Sequence, residues 1–522
     1  MNKTREELVA DLRRRVADHI LEPTNAALLE RLIMQAVDDN EAVMIASLGT
    51  TYKRTGLHFD KRLERPTPEI HYLRRNKALS FGDDENPHRL IIGDNLHALQ
   101  NLLIQYRGQV DVIYIDPPYG KDSMGEFAET NYENAITRDN LLSMLHPRLM
   151  LARQLLSDSG VIFCSIDDRN QAYVKCLFDD VFGERNFIAT LCWRRRKTQA
   201  NLAKFVSQVH EYILVYSREI ERTNINKVPY TADFIAKTFK NPDNDPKGLY
   251  QTGPLARPDN SSNKEYTLKL PNGREITAKW SCSQETFNQY VAEGRLVIPR
   301  DGEGMPRIKI YLSELPGMIP NTWLDDIASN DDASRMIEEV LGTNAAFAYS
   351  KPKELIEYLV KLVESKSKDA LVLDFFAGSG TTGQAVLELN RQDGGNRRFI
   401  LCQLNEVTDT TPNGIAHDVT AKRLKRVMTG ECYDGTRDFA WAQKNQPYGG
   451  SLEVADIATV ADFNARPGQS AFDVIDETLY GQQRFERMEK KVEWVCRNFE
   501  PTQVSLEGDR EWRARRMEAD QR

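Results

Sequence analysis

The stretch ALVLDFFAGSGTTGQAVLEL, residues 370–389, decides the fold class of this 522-residue chain. Its opening apolar run is typical of a buried parallel strand, and its second half has the periodicity of a helix. Gly378 and Gly380 lie at the turn between them, where bare backbone lets a ligand approach and the helix N-terminus favours negative groups. The spacing matches neither the dinucleotide-binding fingerprint nor a phosphate loop. A tight packing turn is the alternative explanation for the glycines alone.

A second strand–helix–strand unit lies earlier, at residues 89–120, and its last strand ends in the tetrad Asp116-Pro117-Pro118-Tyr119. Open α/β sheets place their ligands at such carboxyl ends. An aromatic amine is a poor nucleophile whose two N–H bonds need two acceptors, and the Asp116 carboxylate and the Pro117 carbonyl supply them. The Tyr119 ring offers a stacking surface for a base. An ordinary strand-ending turn is the alternative explanation of the tetrad.

Further elements alternate between strand and helix, which predicts an α/β fold with a doubly wound parallel sheet. After the tetrad we expect a helix that ends at a Gly160 C-cap, and then a strand that ends in Asp167-Asp168. One strand end cannot supply a full set of metal ligands, so we expect these carboxylates to be structural or to line a base pocket.

At the N-terminus, Thr4 and Glu7 make a capping-box pattern before a helical stripe that runs from Leu8 to Ile20. We expect that stripe to contact the main body. From residue 193 the alternating pattern breaks into short strand-like pieces, which indicates an inserted domain of mixed α+β type. The expected organisation is a helical extension at 1–75, an α/β half with the tetrad at 76–192, the insertion at 193–345, an α/β half with the glycine loop at 346–430, and a C-terminal extension at 431–522.

Composition excludes several classes of protein. Apolar residues make up 40% and charged residues 28% of the chain, no stretch is long and apolar enough to span a membrane, and no secretory signal opens it. We expect a cytoplasmic location without membrane contact. The seven cysteines are never spaced CxxC, so neither disulfides nor a metal site is expected. The net charge is −8, yet residues 187–310 hold 20 Lys/Arg against 13 Asp/Glu, as a nucleic-acid face requires.

The tetrad together with the pattern Phe376-x-Gly378-x-Gly380 closely resembles the amino-group DNA methyltransferases, and the order of the two motifs is similar to that of their β group. Over roughly residues 70–430 the chain more narrowly resembles the modification subunit of type III restriction-modification systems. The resemblance implies a circularly permuted class I methyltransferase fold that uses S-adenosylmethionine. It implies methyl transfer to adenine N6 in double-stranded DNA after base flipping, with the insertion as the target-recognition domain.

The resemblance also implies site residues, in addition to the catalytic tetrad. Cofactor-binding positions would be Asp374, Phe376, Gly378, Gly380, Thr381, Asp94, Asn95, Lys351, Gln403 and Asn405. Asp94 could instead cap the following helix, and Lys351 could be a solvated charge. Gln403 lies where many relatives have an acidic residue that holds the ribose hydroxyls, so Asn405 or Glu406 could replace it. Gly120 follows the tetrad where many relatives have asparagine.

The basic run Arg194, Arg195, Arg196 and Lys197 is a candidate phosphate contact, and a solvated charge run is the alternative. Cytosine-N4 methylation is a second candidate function, because the same amine geometry serves both bases. A noncatalytic DNA-binding specificity subunit is the third. We also expect a homodimer, with contacts through the helical ends. The family implies a separate ATP-dependent restriction (helicase-nuclease) subunit.

Overall fold

The computed structural model describes residues 4–17, 21, 23–48, 69–119, 137–198, 205–256, 265–298, 302, 304–343, 347, 350–363, 368–461, 463 and 468–499. The chain divides into two compact units, Met1–Asp60 and Lys61–Arg522. The first unit therefore ends before the boundary at residue 75 that the sequence predicts.

The first unit contains three helices: α1 (Arg5–Ala17), α2 (Pro23–Gln35) and α3 (Asp39–Leu48). The capping box forms, because the Thr4 amide donates to the Glu7 carboxylate at 2.8 Å and the Glu7 amide donates to the Thr4 hydroxyl at 3.3 Å. Leu8 and Leu12 are buried against α2 and α3. Packing inside this unit thus accounts for the start of the stripe that we expected to contact the main body, and Ile20 lies outside the described residues.

The strands of the second unit follow in chain order. They are β1 (Ile70–Arg75), β2 (His88–Ile92), β3 (Val110–Ile115), β4 (Leu156–Ile166), β5 (Phe187–Arg194), β6 (His210–Ser217), β7 (Tyr250–Pro254), β8 (Glu265–Lys269), β9 (Glu275–Lys279), β10 (Leu296–Val297), β11 (Arg307–Tyr311), β12 (Trp323–Leu324), β13 (Leu371–Asp374), β14 (Arg398–Gln403) and β15 (Leu452–Val460).

The helices of this unit continue the numbering of the first. They are α4 (Asn95–Tyr106), α5 (Thr137–Leu155), α6 (Gln171–Phe182), α7 (Ala232–Thr238), α8 (Gln284–Ala292), α9 (Asn330–Leu341), α10 (Lys353–Leu362), α11 (Thr381–Asp393), α12 (Lys422–Thr429), α13 (Ala440–Lys444), α14 (Ala471–Val474) and α15 (Met488–Phe499).

Ten of these strands form one sheet in the order β1-β15-β2-β14-β13-β3-β4-β6-β5-β12. The six strands from β15 to β4 run parallel, and the central strands β13 and β3 are almost fully buried, as expected for strands covered on both faces. Antiparallel pairs flank them, β1 with β15 on one side and β6 between β4 and β5 on the other. The α/β class is confirmed, but the sheet is mixed rather than purely parallel.

Two other expectations change. Residues 210–217, which the sequence places in the insertion, form β6 of the main sheet, and residues 452–460 of the C-terminal extension form β15. The expected Gly160 C-cap is wrong, because the helix ends at Leu155 and Gly160 lies inside β4. A Cβ at Gly160 would lie 2.9 Å from the carbonyl oxygen of Val110 on β3, so glycine permits close strand approach there.

Residues between β6 and β12 contain a separate small core. Leu255, Leu268, Trp280 and Phe287 are each at most 2% exposed and pack together with the three-stranded sheet β10-β11-β7 and the hairpin β8-β9 nearby. This segment therefore packs around its own apolar cluster. Across the described residues, no helix has both the length and the apolar character needed to cross a membrane.

Candidate active site

Adjacent parallel strands bring the two sequence motifs to one edge of the sheet. β13 pairs with β3, so Asp374 and Asp116 stand at neighbouring carboxyl ends. β14 and β2 follow on the other side of β13, which adds Gln403 and Asp94 to the same edge. Residues that are far apart in the chain thus form one candidate site, at the place where open α/β sheets bind ligands.

Both oxygens of the Asp116 carboxylate accept hydrogen bonds. The Lys351 ammonium donates to Oδ2 at 2.6 Å, and the Tyr119 hydroxyl donates to Oδ1. The side-chain amide of Asn170 donates to the Tyr119 carbonyl at 2.8 Å and so holds the end of the tetrad. Burial raises the pKa of Asp116 above its ordinary value, although the Lys351 charge opposes the rise. Pro117 is buried, and Pro118 is half-buried beside it.

Lys351 contacts the tetrad. The resemblance instead implies that this lysine contacts the carboxylate of the cofactor. Lys351 is only 8% exposed, and its ammonium also lies 3.3 Å from the Glu211 carboxylate and 5.2 Å from the centre of the Tyr119 ring. Burial acts to lower the pKa of Lys351, but Asp116 and Glu211 together raise it above its ordinary value. The side chain is therefore a buried ammonium between two carboxylates and not a solvated charge.

The glycine loop is held by the carboxylate that precedes it. Asp374 accepts the Phe376 amide at 3.0 Å and the Thr382 hydroxyl at 2.5 Å, and burial raises its pKa to about 7. Gly378 has φ 53°, and a Cβ there would lie 2.9 Å from the Phe347 ring. The loop thus requires glycine at this position, while the half-buried Phe376 leaves part of its ring open to a ligand.

Gln403 supports the glycine loop through its side chain. Its Oε1 accepts the Gly378 amide at 2.7 Å, and the Thr420 hydroxyl donates to the Gly378 carbonyl at 2.6 Å. Gly380 has φ 79° and begins α11. Gln403 therefore holds the loop by accepting a backbone hydrogen bond. An amide oxygen can accept this bond just as the carboxylate found in many relatives could.

Asp94 caps α4, as its alternative interpretation predicts. Its carboxylate accepts the Leu96 amide at 2.7 Å, and the buried Arg148 guanidinium donates to it at 2.8 Å. Asn95 donates to the Phe375 carbonyl at 2.7 Å, and Arg148 also donates to the Asn95 side chain. Asn95 thus connects α4 with the segment that follows β13, and Asp94 fixes the start of α4.

Two further predicted residues differ in their surroundings. The Thr381 hydroxyl is buried and lies 2.9 Å from Arg423 Nη1 and 3.0 Å from the Ser350 hydroxyl, so it contributes to an internal network. Asn405 donates to the Asn413 carbonyl at 2.9 Å, but its own Oδ1 is buried without a hydrogen-bond partner in the described part of the chain. A buried acceptor of this kind needs a donor, which a ligand hydroxyl would provide.

The basic run separates into different environments. Arg195 points to Glu211, with Nη1 at 3.0 Å from Oε1, and Arg194 bends back to the carbonyls of Arg196 and Lys197. Arg196 and Lys197 are exposed, and Lys197 lies 3.9 Å from Asp332. Arg196 and Lys197 therefore lie at the surface, whereas Arg195 is directed inward.

Comparison with known sequences agrees with this arrangement. A family model described as DNA methylase matches residues 110–409, which include both the tetrad and the glycine loop. The chain belongs to the DNA methylase family. A second model, of an uncharacterised conserved protein, matches residues 11–112.

Among relatives of this DNA methylase, the StyLTI Mod subunit of a type III restriction-modification enzyme from Salmonella typhimurium is 32% identical over 75% of this chain and 66% of its own. The EcoPI Mod subunit from Escherichia phage P1 is 31% identical over 66% of this chain and 63% of its own. The type II methyltransferase M.KpnI from Klebsiella pneumoniae is 29% identical over 66% of this chain and 88% of its own. The chain thus spans just under two thirds of the two Mod subunits.

The resemblance to Mod subunits over roughly residues 70–430 is confirmed by these relatives. A solved DNA modification methylase from Thermus thermophilus, complexed with S-adenosyl-L-methionine, shares 15% identity and a TM-score of 0.32 over 71% of this chain and 98% of its own. That score is low, so the description of the fold rests on the sheet topology itself.

Sequence reasoning missed three side chains of this DNA methylase that support the site: Asn170, Glu211 and Arg148. Asn170 holds the tetrad, Glu211 contacts Lys351, and Arg148 contacts Asp94 and Asn95. Asn170 follows the Asp167-Asp168 pair and Glu211 lies within the apolar strand β6, but nothing in the sequence gives their contacts. Asp167 itself accepts from Asn170 at 2.8 Å, which is the structural role expected of it. No group of three or more His, Cys, Asp or Glu side chains in the described ranges is placed to hold a metal ion.

Proposed function

We propose that the protein is an S-adenosylmethionine-dependent methyltransferase that modifies adenine N6 in specific sequences of double-stranded DNA, as the modification and specificity subunit of a type III system. The observation that carries the proposal is the adjacency of β3 and β13, which puts Asp116 and the glycine loop side by side. Membership of the DNA methylase family supports the reaction class. The type III Mod relatives support the assignment to such a system.

The residues present fit the cofactor. The loop from Phe376 to Gly380 offers a half-buried ring and bare backbone, and Asn405 has a buried acceptor without a partner among the described residues. Phe376, Gly378 and Gly380 would line the cofactor, with Asn405 accepting one of its hydroxyls. When bound, S-adenosylmethionine supplies an electrophilic methyl group on a sulfonium. Five other residues would act indirectly, by holding the loop and α4 in place: Asp374, Thr381, Gln403, Asp94 and Asn95.

The tetrad would prepare the amine for attack. Asp116 accepts one amine hydrogen and the Pro117 carbonyl the other, so that the nitrogen lone pair is freed from the ring. The Tyr119 hydroxyl releases its hydrogen bond to Asp116 as the base enters, and the ring then stacks on the base. Flipping costs a few kcal/mol, of which stacking returns about 1–3 kcal/mol. The raised pKa of Asp116 suits it to receive the proton that the methylated amine loses.

The finer architecture belongs to the same proposal. The tetrad half precedes the glycine-loop half in the chain, as in a circularly permuted methyltransferase, and the segment with its own core lies between them. We assign target recognition to the part of residues 193–345 outside the main sheet, with Arg196 and Lys197 on phosphates. A homodimer and a separate ATP-dependent restriction subunit complete the proposal, with the complex acting on DNA in the cytoplasm. Analytical ultracentrifugation tests the dimer.

Labelled S-adenosylmethionine and mixed-sequence DNA test the reaction. We expect label in N6-methyladenine from the wild type and none from Asp116→Ala, which should still bind the cofactor. Asp111→Ala is the matched control, because Asp111 lies on the same strand but accepts the Leu371 amide at 2.9 Å at the other end of it. The control should lose stability and keep its turnover. Absence of label from the wild type contradicts the proposal.

Two alternatives give different results in the same experiment. Cytosine-N4 methylation would appear as N4-methylcytosine in nucleoside mass analysis. A noncatalytic specificity subunit would bind DNA without affinity for S-adenosylmethionine. The intact tetrad and the glycine loop on adjacent strands favour an enzyme over the latter.

A further inference from the structure

Four charged side chains form a continuous series of contacts that begins at Asp116 of the tetrad. Asp116 Oδ2 lies 2.6 Å from Lys351 Nζ, Lys351 Nζ lies 3.3 Å from Glu211 Oε2, and Glu211 Oε1 lies 3.0 Å from Arg195 Nη1. Glu211 is 5% exposed and Lys351 is 8% exposed. Two carboxylates and two cations thus alternate, and their formal charges cancel within a largely buried cluster.

We propose that Glu211 is a positioning residue for methyl transfer, which holds the Lys351 ammonium against Asp116 and thereby orients the catalytic carboxylate. This inference rests on the proposed function, because it concerns the reaction that Asp116 would carry out. Glu211 acts through Lys351; the structure places it in contact with that ammonium and with Arg195, and not with the tetrad itself.

The hydrogen-bonding capacity of Lys351 supports this role. Its ammonium has three hydrogens: it donates to Asp116 Oδ2 and to the Tyr119 hydroxyl at 3.0 Å, and its third contact is the ion pair with Glu211 Oε2 at 3.3 Å. With all three in place the ammonium has one position. Without Glu211 it would keep two acceptors, both belonging to the tetrad, and would follow their motion when a base enters.

The sheet explains why Glu211 itself is fixed. It lies on β6 opposite Trp193 of β5, and Arg195, two residues further along, reaches it diagonally across the pair. The pairing of β5 with β6 therefore supports the carboxylate, and the carboxylate supports Lys351 on the segment before α10. Removing one member of such a buried cluster leaves an uncompensated charge, so the four residues should act as a unit.

The electrostatic consequence of removing Glu211 has a definite sign. The Glu211 charge raises the pKa of Asp116 and that of Lys351. Replacing it by a neutral amide lowers both, so both limbs of a pH–rate profile that needs ionised Asp116 and protonated Lys351 should move to lower pH. Other titratable groups around Asp116 are Tyr119, Tyr114, Cys164 and Asp374.

The experiment compares Glu211→Gln and Glu211→Asp with the wild type in the full chain, by measuring kcat and KM for DNA methylation across pH. We expect Glu211→Gln to lose about 100-fold in kcat, the usual cost of displacing a catalytic group by about 1 Å, with KM little changed and both pH limbs lowered. Glu211→Asp keeps the charge but is shorter, so its kcat should fall while its pH limbs stay at the wild-type position.

Glu453→Gln is the matched control, because Glu453 is also buried and also pairs with two cationic side chains, Arg75 and Arg89, on the β1 side of the sheet. It should lose stability without a change in kcat or pH profile. A wild-type kcat in Glu211→Gln, or a loss without any shift of the limbs, overturns the inference alone. If Glu211→Gln does not fold, a wild-type kcat in folded Glu211→Asp overturns it, and a reduced kcat supports it. A wild type that methylates neither base overturns the proposed function and this inference with it.

Discussion

Replacing Asp374 by Asn should change how the stability of the protein depends on pH. Burial raises the pKa of Asp374 to about 7, from an ordinary value of 3.8. The folded protein thus binds this proton more tightly than the unfolded chain does. The protonated form contributes stability that is fully present below about pH 4 and is lost as the pH rises through about 7.

The size of this effect follows from the shift. One pKa unit corresponds to about 1.4 kcal/mol, so the shift of about three units corresponds to about 4 kcal/mol lost between the acidic and the alkaline plateau. Asparagine has nearly the same shape and carries no charge. Its carbonyl can accept the Phe376 amide, and its NH2 group can donate to the Thr382 hydroxyl if that hydroxyl rotates.

Urea unfolding at a series of pH values measures the difference. We expect the free energy of unfolding of Asp374→Asn, relative to wild type, to rise by about 4 kcal/mol from about pH 4 to about pH 8. Other buried acids titrate in both proteins, so this difference isolates Asp374. Parallel curves for the two proteins would refute the argument that the buried carboxylate is protonated near neutral pH.

Three further outcomes are expected. Gly378→Ala should weaken S-adenosylmethionine binding at least tenfold in calorimetry, because the new Cβ would lie 2.9 Å from the Phe347 ring and φ is 53°. An unchanged affinity would contradict the proposal that Gly378 lines the cofactor. Asn170→Ala removes the donor to the Tyr119 carbonyl, a bond worth about 1 kcal/mol, so kcat should fall several-fold with cofactor affinity intact in equilibrium binding; equal turnover would show that the tetrad needs no such support. Lys197→Ala should weaken DNA binding equally for all sequences and reduce the slope of log K against log salt by about one, and an unchanged slope would place Lys197 off the phosphates.

The residues that were predicted well are those whose local chemistry is distinctive. The tetrad and the glycine loop need particular residue types in a short contiguous stretch, so the sequence shows them directly, and the same holds for the Thr4–Glu7 capping box. Strands such as β3 and β13 were recognisable because both faces are buried and the residues are continuously apolar. The antiparallel strand β6 was assigned to the wrong part of the molecule, because a short apolar run does not indicate its neighbours.

The sequence by itself determined the reaction class, the α/β architecture and the two motifs, because each depends on interactions between residues close together in the chain. Tertiary structure alone decided what surrounds the tetrad. Lys351 comes from the segment before α10, whereas Glu211 lies on β6 and Arg195 directly follows β5. The cluster forms beside Asp116 because β3, β4, β6 and β5 are neighbours in the sheet. Long-range contacts of this kind follow from strand order, which local patterns do not encode. For that reason the sequence predicts a cofactor contact for Lys351, whereas the folded chain places its ammonium on Asp116.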